Sequence, residues 1–226
     1  DGSTHSLNLP FVRDGMIEGP EVKTLTPLID KKILDVGCGG GILAEALARL
    51  GANVTGIDAT KELITIANEH RDVDPRIEHV KSFTNHYDGV VASEVIEHVN
   101  NKEMFVKSCI QALKPGGRIF FTTPNRTPVS RFASICVAEY VLNLLPRGTH
   151  QYEKFITPNE LTVICTIVST IAMGFISQIF FNIVFFFSDN CHVEVVYGTF
   201  YHFLSNTWQF ISSPALMYAL QAVKLK

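Results

Sequence analysis

At 226 residues and 46% hydrophobic content, the chain is long enough to close one domain around a substantial core. Nineteen basic residues against 22 acidic ones leave a formal charge of -3, so no basic excess points to nucleic acid and a small molecule is the expected partner. Cys38, Cys109, Cys136, Cys165 and Cys191 form an odd set with no C-x-x-C pair, which argues against a disulfide framework or a zinc knuckle and fits a reducing compartment.

From Lys32 the chain alternates short apolar runs with helical stretches. "KILDVGCG" predicts a strand ending in a glycine turn, and "GILAEALARLG" a helix capped by Gly51. "NVTGID" predicts a second strand, "KELITIANEH" a second helix and "RIEHV" a third strand. "YDGVVASE" follows as a fourth strand, then the helix "NKEMFVKSCIQAL" stopped by "KPGG", then "RIFFTT" as a fifth strand closed by Pro124. This rhythm implies an α/β fold, a mostly parallel sheet with helices on both faces, because parallel neighbours need crossover connections. Ligands in such sheets bind at the carboxyl ends of strands, where "DVGCGGG", Asp58 and Glu94 all fall.

In "ILDVGCGGGIL" the glycines stand at Gly37, Gly39 and Gly41, with Asp35 two residues ahead. Ile42 occupies the place where a dinucleotide G-x-G-x-x-G turn needs its last glycine, which weakens a nicotinamide reading. The form D-x-G-x-G-x-G instead resembles motif I of the class I methyltransferases that use S-adenosylmethionine. Glycines there let the backbone approach the methionine and ribose portions, and Asp35 is placed to balance the ligand's ammonium. Asp58, about 20 residues on at the end of the next strand, is positioned to accept from both ribose hydroxyls.

In "ASEVIEHVNN", Glu94, Glu97 and His98 stand at i, i+3 and i+4, so a helix starting there would bring them to one face. The spacing suits a metal ion or a proton relay; taken alone, it suits a solvated face better. Beside a methyl donor, a divalent ion gripping two adjacent phenolic oxygens would lower their pKa and orient one for in-line attack, which is catechol O-methylation. His150, in the Pro/Gly context of "LLPRGTHQYEKFITP", reads by itself as a surface histidine.

Together, "DVGCGGGILAEALARLGANVTGID", "VVASEVIEHV", "LKPGGRIFFTTPNR" and "PRGTHQYEKFITP" closely resemble the ubiquinone-biosynthesis O-methyltransferase family, in the family's order. The likeness runs from about Asp1 to Leu161 and resumes at "NCHVEVVYGTFYHFLSNTWQF". It implies a Rossmann-like class I methyltransferase with a seven-stranded sheet, in one domain over 1–226. It implies S-adenosylmethionine contacts at Asp35, Gly37, Gly39, Gly41, Asp58 and Ser93. It also implies a divalent metal at Glu94, Glu97, His98 and His150, these four being the catalytic set; Mg2+ heads the candidates, and two imidazoles leave room for Mn2+, Fe2+ or Zn2+. The implied acceptor is a polyprenyl catechol, in a peripheral protein on the matrix side of the mitochondrial inner membrane, working with other ubiquinone-biosynthesis enzymes. Residues 126–150 stand where the family inserts a helical lid, and Phe132, Ile135, Val141, Leu142 and Leu145 between Arg131 and Arg147 fit an interfacial amphipathic helix.

The chain departs from that family at three places. "SLNLPFVRDG" skips a stretch in which the family carries a cofactor-holding arginine, and Arg13 occupies a different place. Only a few residues separate "RIEHV" from "HYDGVVA", where the family has a short acidic helix. Residues 161–189, "LTVICTIVSTIAMGFISQIFFNIVFFFSD", are long and apolar enough for a transmembrane candidate, yet a span would part strands that one sheet must join. The favoured reading is a retained intron, since a pyrimidine-rich tract encodes such a Phe-rich run and family sequence resumes directly after it. An inactive, membrane-associated variant that keeps only the cofactor motifs is the competing functional reading.

Overall fold

A computed structural model describes residues 5–17, 24–60, 84–132, 151–171, 191–202 and 207–225. Helix α1 (His5–Met16) leads into β1 (Lys32–Val36), α2 (Ile42–Arg49) and β2 (Asn53–Ile57). Then come β3 (Tyr87–Ser93), a 3-10 turn at Ile96–His98, α3 (Lys102–Ala112) and β4 (Leu113–Pro124). A short helix α4 (Pro128–Arg131), a second 3-10 turn at Tyr152–Lys154 and α5 (Pro158–Ile171) precede β5 (Cys191–His202), β6 (Thr207–Ile211) and β7 (Met217–Lys224).

The seven strands form one sheet in the order β2-β1-β3-β4-β7-β5-β6. Pairing is parallel from β2 through β4 and antiparallel from β4 through β7 and β5 to β6. The parallel half therefore has all its carboxyl ends on one edge, where the glycine turn, Asp58 and Glu94 are gathered. β5 resumes at Cys191 and pairs with β7 from Cys191 to Thr199, across a register shift between Val193 and Val195, which joins the expected last strands to the same sheet. The expected helix at 61–70 and strand at 76–80 lie outside the described residues.

Side chains alternate across the strands with the period of two that a pleated sheet imposes. Ile33, Val54, Val91, Phe120 and Ala219 face α1 and α2, while Leu34, Val90, Ala92, Ile119, Phe121 and Leu220 face α3 and α5. Phe11 of α1 fastens the first layer, meeting the Phe120 ring edge-on at 5.4 Å and the Phe210 ring of β6 at 5.7 Å. Leu161 and Cys165 of α5 are fully buried in the second layer. The start of the apolar run 161–189 thus belongs to the core as part of α5, and residues 172–190 lie outside the described residues. No helix among the described residues is long and apolar enough to cross a membrane.

Two helix ends explain why these segments stop and start where they do. Gly51, at φ 99, lets the chain turn left-handed after α2, and its N–H and that of Ala52 bond back to the carbonyls of Ala48 and Leu47. At α5 the run Thr157-Pro158-Asn159-Glu160 forms a capping box: the Glu160 N–H bonds to Thr157 Oγ1, and the Thr157 N–H bonds to Glu160 Oε2 at 2.9 Å.

Candidate active site

The turn after β1 holds Gly37, Gly39 and Gly41 at φ 72, 54 and 83, a left-handed backbone that side chains disfavour. The Gly37 and Cys38 N–H groups bond to the carbonyl of Ile57 at 2.7 and 3.1 Å, which ties the turn to the end of β2. Asp58 completes the link by accepting from the Gly39 N–H at 3.0 Å and the Thr60 N–H at 2.8 Å. Each Asp58 oxygen retains a lone pair, so the carboxylate can still accept from a ligand's hydroxyls.

Asp35 is 2% exposed, and its Oδ2 is buried with no hydrogen-bond partner among the described residues. Burial, reinforced by the Asp58 charge, pushes its carboxyl up to about 7. A cation beside it would supply what this acid lacks, which is the role expected of an ammonium. Burial first, and then both aspartates, push the neighbouring Cys38 thiol up to about 12, so it stays protonated and is no nucleophile.

The acidic turn differs from the expected helix. Residues Ile96–His98 form a single 3-10 turn, and Glu94 precedes it at φ 56, a left-handed position rare for a residue with a side chain. The strain is held in place because the Glu94 N–H bonds to the Thr122 carbonyl at 2.9 Å. One-face convergence through α-helical spacing therefore does not apply. Glu94 and Glu97 still meet side chain to side chain, whereas His98 is exposed. Among the described residues no three His, Cys, Asp or Glu side chains gather as a metal-holding group, and His150 lies outside them.

Glu97 is 2% exposed; its Oε2 accepts from Thr123 Oγ1 at 2.9 Å, and its Oε1 is buried with no hydrogen-bond donor to it among the described residues. Burial dominates its shift, to about 7, against lowering by hydrogen bonds from its own backbone and from Thr123 and Glu94 and by the charge of Lys102. Part of Glu94 reaches solvent, yet its carboxyl is desolvated and lies beside Glu97, and both effects hold it well above the usual carboxylate range. Near neutral pH the pair carries a proton between its two carboxyls, or it needs a cation there.

Three residues that the sequence does not single out shape this pocket. The Asn8 amide of α1 donates to Ser93 Oγ at 2.6 Å, and Thr122 Oγ1 donates to the same oxygen at 3.1 Å. With both lone pairs so engaged, the Ser93 hydroxyl hydrogen is left to donate. Tyr218 lies opposite Thr123 in the β4–β7 register, with a buried hydroxyl that has no partner among the described residues. Burial and then the Glu97 charge raise its pKa, so it stays a neutral phenol. No local pattern points to these residues, because α1 and β7 reach the site only through the fold.

The glycine turn and the acidic turn touch. A Cβ placed on Gly37 would lie 2.3 Å from Val95 Cγ2, so the two loops pack with no room for a side chain between them.

The profile of the methyltransferase domain family matches residues 21–166. The rat "Ubiquinone biosynthesis O-methyltransferase, mitochondrial" is 38% identical over 99% of this chain and 63% of its own length. The human protein of the same name is 38% identical over 98% of the chain and 58% of its length. A Proteus mirabilis "Ubiquinone biosynthesis O-methyltransferase" is 44% identical over 59% of the chain and 58% of its own length. The chain thus spans about three fifths of the length of these curated relatives. Among solved structures, the Synechocystis magnesium protoporphyrin IX methyltransferase with bound SAH superposes with a TM-score of 0.59 at 14% identity, covering 98% of this chain and 84% of that one. A SAM-dependent methyltransferase from Aquifex aeolicus does so at 0.57 and 13%, covering 99% and 93%. At that identity the likeness is one of fold, that of the class I methyltransferases.

Proposed function

The chain belongs to the methyltransferase domain family, and from that membership we propose that it moves the methyl group of S-adenosylmethionine to a catechol hydroxyl of a polyprenyl ubiquinone precursor. The observation that carries this reading is the packing of the acidic turn on the glycine turn, with 2.3 Å between a notional Gly37 Cβ and Val95 Cγ2. A donor laid over Gly37, Gly39 and Gly41, its ammonium at Asp35 and its ribose at Asp58, has its methyl group beside whatever the Glu94–Glu97 pair binds. The relatives' names support the acceptor class, and those of the rat and human proteins support a mitochondrial site of action.

In this mechanism the acceptor hydroxyl gives its proton to the Glu97 carboxylate, which Thr123 holds in place, and the phenolic oxygen attacks the methyl carbon. The carbon–sulfur bond breaks in the same step, and S-adenosylhomocysteine leaves as a neutral thioether. Ser93, fixed by Asn8 and Thr122, has a hydrogen to offer the donor. A divalent metal fits the acid pair, because two buried carboxyls lie side by side there and Glu97 Oε1 accepts no hydrogen bond from another group among the described residues. Glu94 and Glu97 would hold it, an oxygen pair that favours Mg2+, while the exposed His98 stands apart from them and His150 lies outside the described residues. When bound, such an ion makes both catechol oxygens more acidic. Peripheral membrane contact through residues 126–150 and association with other enzymes of the pathway complete the reading.

The deciding experiment is transfer of labelled methyl from S-adenosylmethionine to a prenylated 4,5-dihydroxybenzoate, with and without added Mg2+ and after chelation. Methylated product supports the reaction, and its absence under every condition overturns it. Activity that survives exhaustive chelation removes the metal while leaving the transferase.

A further inference from the structure

The reaction above leaves two buried polar atoms unused at the carboxyl edge of the sheet, one a donor and the other an acceptor. Tyr218 is fully buried, and its hydroxyl has no hydrogen-bond partner among the described residues. Asn125 is 6% exposed, and its Oδ1 likewise meets no donor among them. The amide cannot be turned the other way, because its Nδ2 donates at 2.7 Å to the Pro214 carbonyl, an oxygen that only accepts. The chain is held there at two further points: the Asn125 N–H bonds to the Leu216 carbonyl at 2.8 Å, and Thr127 Oγ1 donates to the Ala215 carbonyl. Oδ1 is thus fixed in place with its bond unmade, and a buried polar atom without a partner is costly.

Both atoms belong to one face of the sheet. Tyr218 stands opposite Thr123 in the β4–β7 register, and the bond from the Asn125 N–H to Leu216 extends that register by one residue. Thr123 and Asn125, two apart, therefore share a face with Tyr218. The Thr123 hydroxyl gives its hydrogen to Glu97, so it does not serve Asn125. In the order β2-β1-β3-β4-β7 the methyl donor's cradle belongs to β1 and β2, Glu94 follows β3, and Tyr218 and Asn125 come next, on β7 and just past β4. Tyr218 is in electrostatic range of both Glu97 and Glu94. The molecule that meets these two atoms is the one that reaches the acid pair from the side away from the donor, which is the acceptor.

Resting on the reading of this site as a catechol O-methyltransferase, we propose that Tyr218 and Asn125 seat the acceptor's second hydroxyl, the neighbour of the one that is methylated. Tyr218 Oη donates to that oxygen, and Asn125 Oδ1 accepts its hydrogen. A hydroxyl satisfies both groups at once. A methoxy oxygen can only accept, so it answers Tyr218 and leaves Asn125 buried against a methyl group. The site thereby selects a ring with two adjacent free hydroxyls and rejects one whose second oxygen is already methylated.

The test is calorimetric titration of the whole protein, loaded with S-adenosylhomocysteine in the presence of a chelator, using 3-prenyl-4,5-dihydroxybenzoate and its two mono-O-methyl ethers. Chelation keeps a metal from gripping the catechol. The diol should bind about tenfold or more tightly than the ether whose methyl group faces Asn125, because that ether leaves a buried acceptor unpaired. Asn125→Ala should bring the two within about threefold. Tyr218→Phe should weaken the diol by about fivefold to tenfold. Urea unfolding of the ligand-free Tyr218→Phe variant supplies a readout that a structural role would move the other way. Loss of a hydroxyl that has no partner should leave the midpoint unchanged or raised, whereas a clear fall would show that the protein itself bonds this hydroxyl and would overturn the proposal. Equal binding of the diol and both ethers by the unaltered protein overturns it too, as does a Tyr218→Phe variant that binds the diol like the parent. Methyl transfer to the diol is measured in parallel. A diol preference that these substitutions remove, with no turnover, supports the hydroxyl seat and sinks the transferase reading. Turnover without a diol preference does the reverse.

Discussion

Thr123 Oγ1 lies 2.9 Å from Glu97 Oε2 and is the side-chain donor that steadies a carboxylate otherwise buried against its own charge. The bond favours the ionised form, so it works against the desolvation that raises Glu97. Thr123→Val keeps the shape and removes the donor. Its Glu97 should titrate above the present value of about 7. The expected outcome is an acid limb of the kcat/KM–pH profile moved to higher pH, with activity at pH 6 falling more than activity at pH 8.5. A profile that keeps its position would show that Glu97 is not the group being read.

Gly37 and Gly39 share a left-handed backbone and differ in their surroundings. A Cβ on Gly37 would meet Val95 at 2.3 Å, whereas one on Gly39 would meet nothing within 4 Å. Gly39→Ala should therefore cost only the left-handed penalty, roughly 1–2 kcal/mol. Gly37→Ala should cost more than that and also shift the acidic turn, weakening S-adenosylhomocysteine binding by tenfold or more. Urea unfolding and calorimetry on the two variants check the order; equal losses would mean that the two loops are not rigidly packed.

The glycine turn is legible in the amino-acid sequence because two short-range rules coincide there: apolar alternation marks the strand, and repeated glycines mark a backbone that other residues avoid. Asp35 and Asp58 follow from their places at strand ends. The acidic turn is legible in composition and not in shape. Nothing in "SEVIEH" announces that Glu94 adopts φ 56, since that angle is stabilised by the distant Thr122 carbonyl. Asn8, Thr123 and Tyr218 are invisible there for the same reason. Their roles come from the packing of α1 on the sheet and the antiparallel register of β4 with β7, which are long-range consequences of the fold.

Asp35 gives a pH test of stability. Its folded-state value of about 7 stands above its ordinary 3.8, so the native state holds a proton that the unfolded chain releases over that interval. The acid therefore costs the fold nothing at the bottom of the window and an increasing amount as pH rises through it. Asp35→Asn removes the titration. The stability of the variant relative to the parent should climb by about 2–4 kcal/mol between pH 4 and pH 8 in the absence of ligand. Urea melts across that range measure it, and a flat difference would place the Asp35 carboxyl in a better solvated setting.

The capping box at α5 predicts a modest loss of stability. Thr157→Ala removes the acceptor for the Glu160 N–H and the hydroxyl that donates to Glu160 Oε2 at 2.9 Å. The cost should be about 1 kcal/mol, or about 3 °C in the thermal midpoint of a chain this size. Glu160 also holds Arg126, so that ion pair should loosen with the cap. Calorimetric melts of the variant against the parent measure the cost, and an unchanged midpoint would show that the cap contributes nothing.

Glu97→Gln distinguishes a chemical role for this acid from a structural one. The amide is nearly isosteric, and its oxygen can still accept from Thr123, so the pocket should keep its form. What disappears is the basic carboxylate and one of the two acids able to face a cation. The methyl-transfer rate should fall by about 10²–10⁴, the usual worth of a positioned base. S-adenosylhomocysteine affinity should change by less than threefold, because Gly37, Gly39, Asp35 and Asp58 are untouched. Added Mg2+ or Mn2+ should no longer stimulate what remains. Full activity in this variant would remove Glu97 from the chemistry, and loss of cofactor binding together with the rate would recast it as a support for the glycine turn.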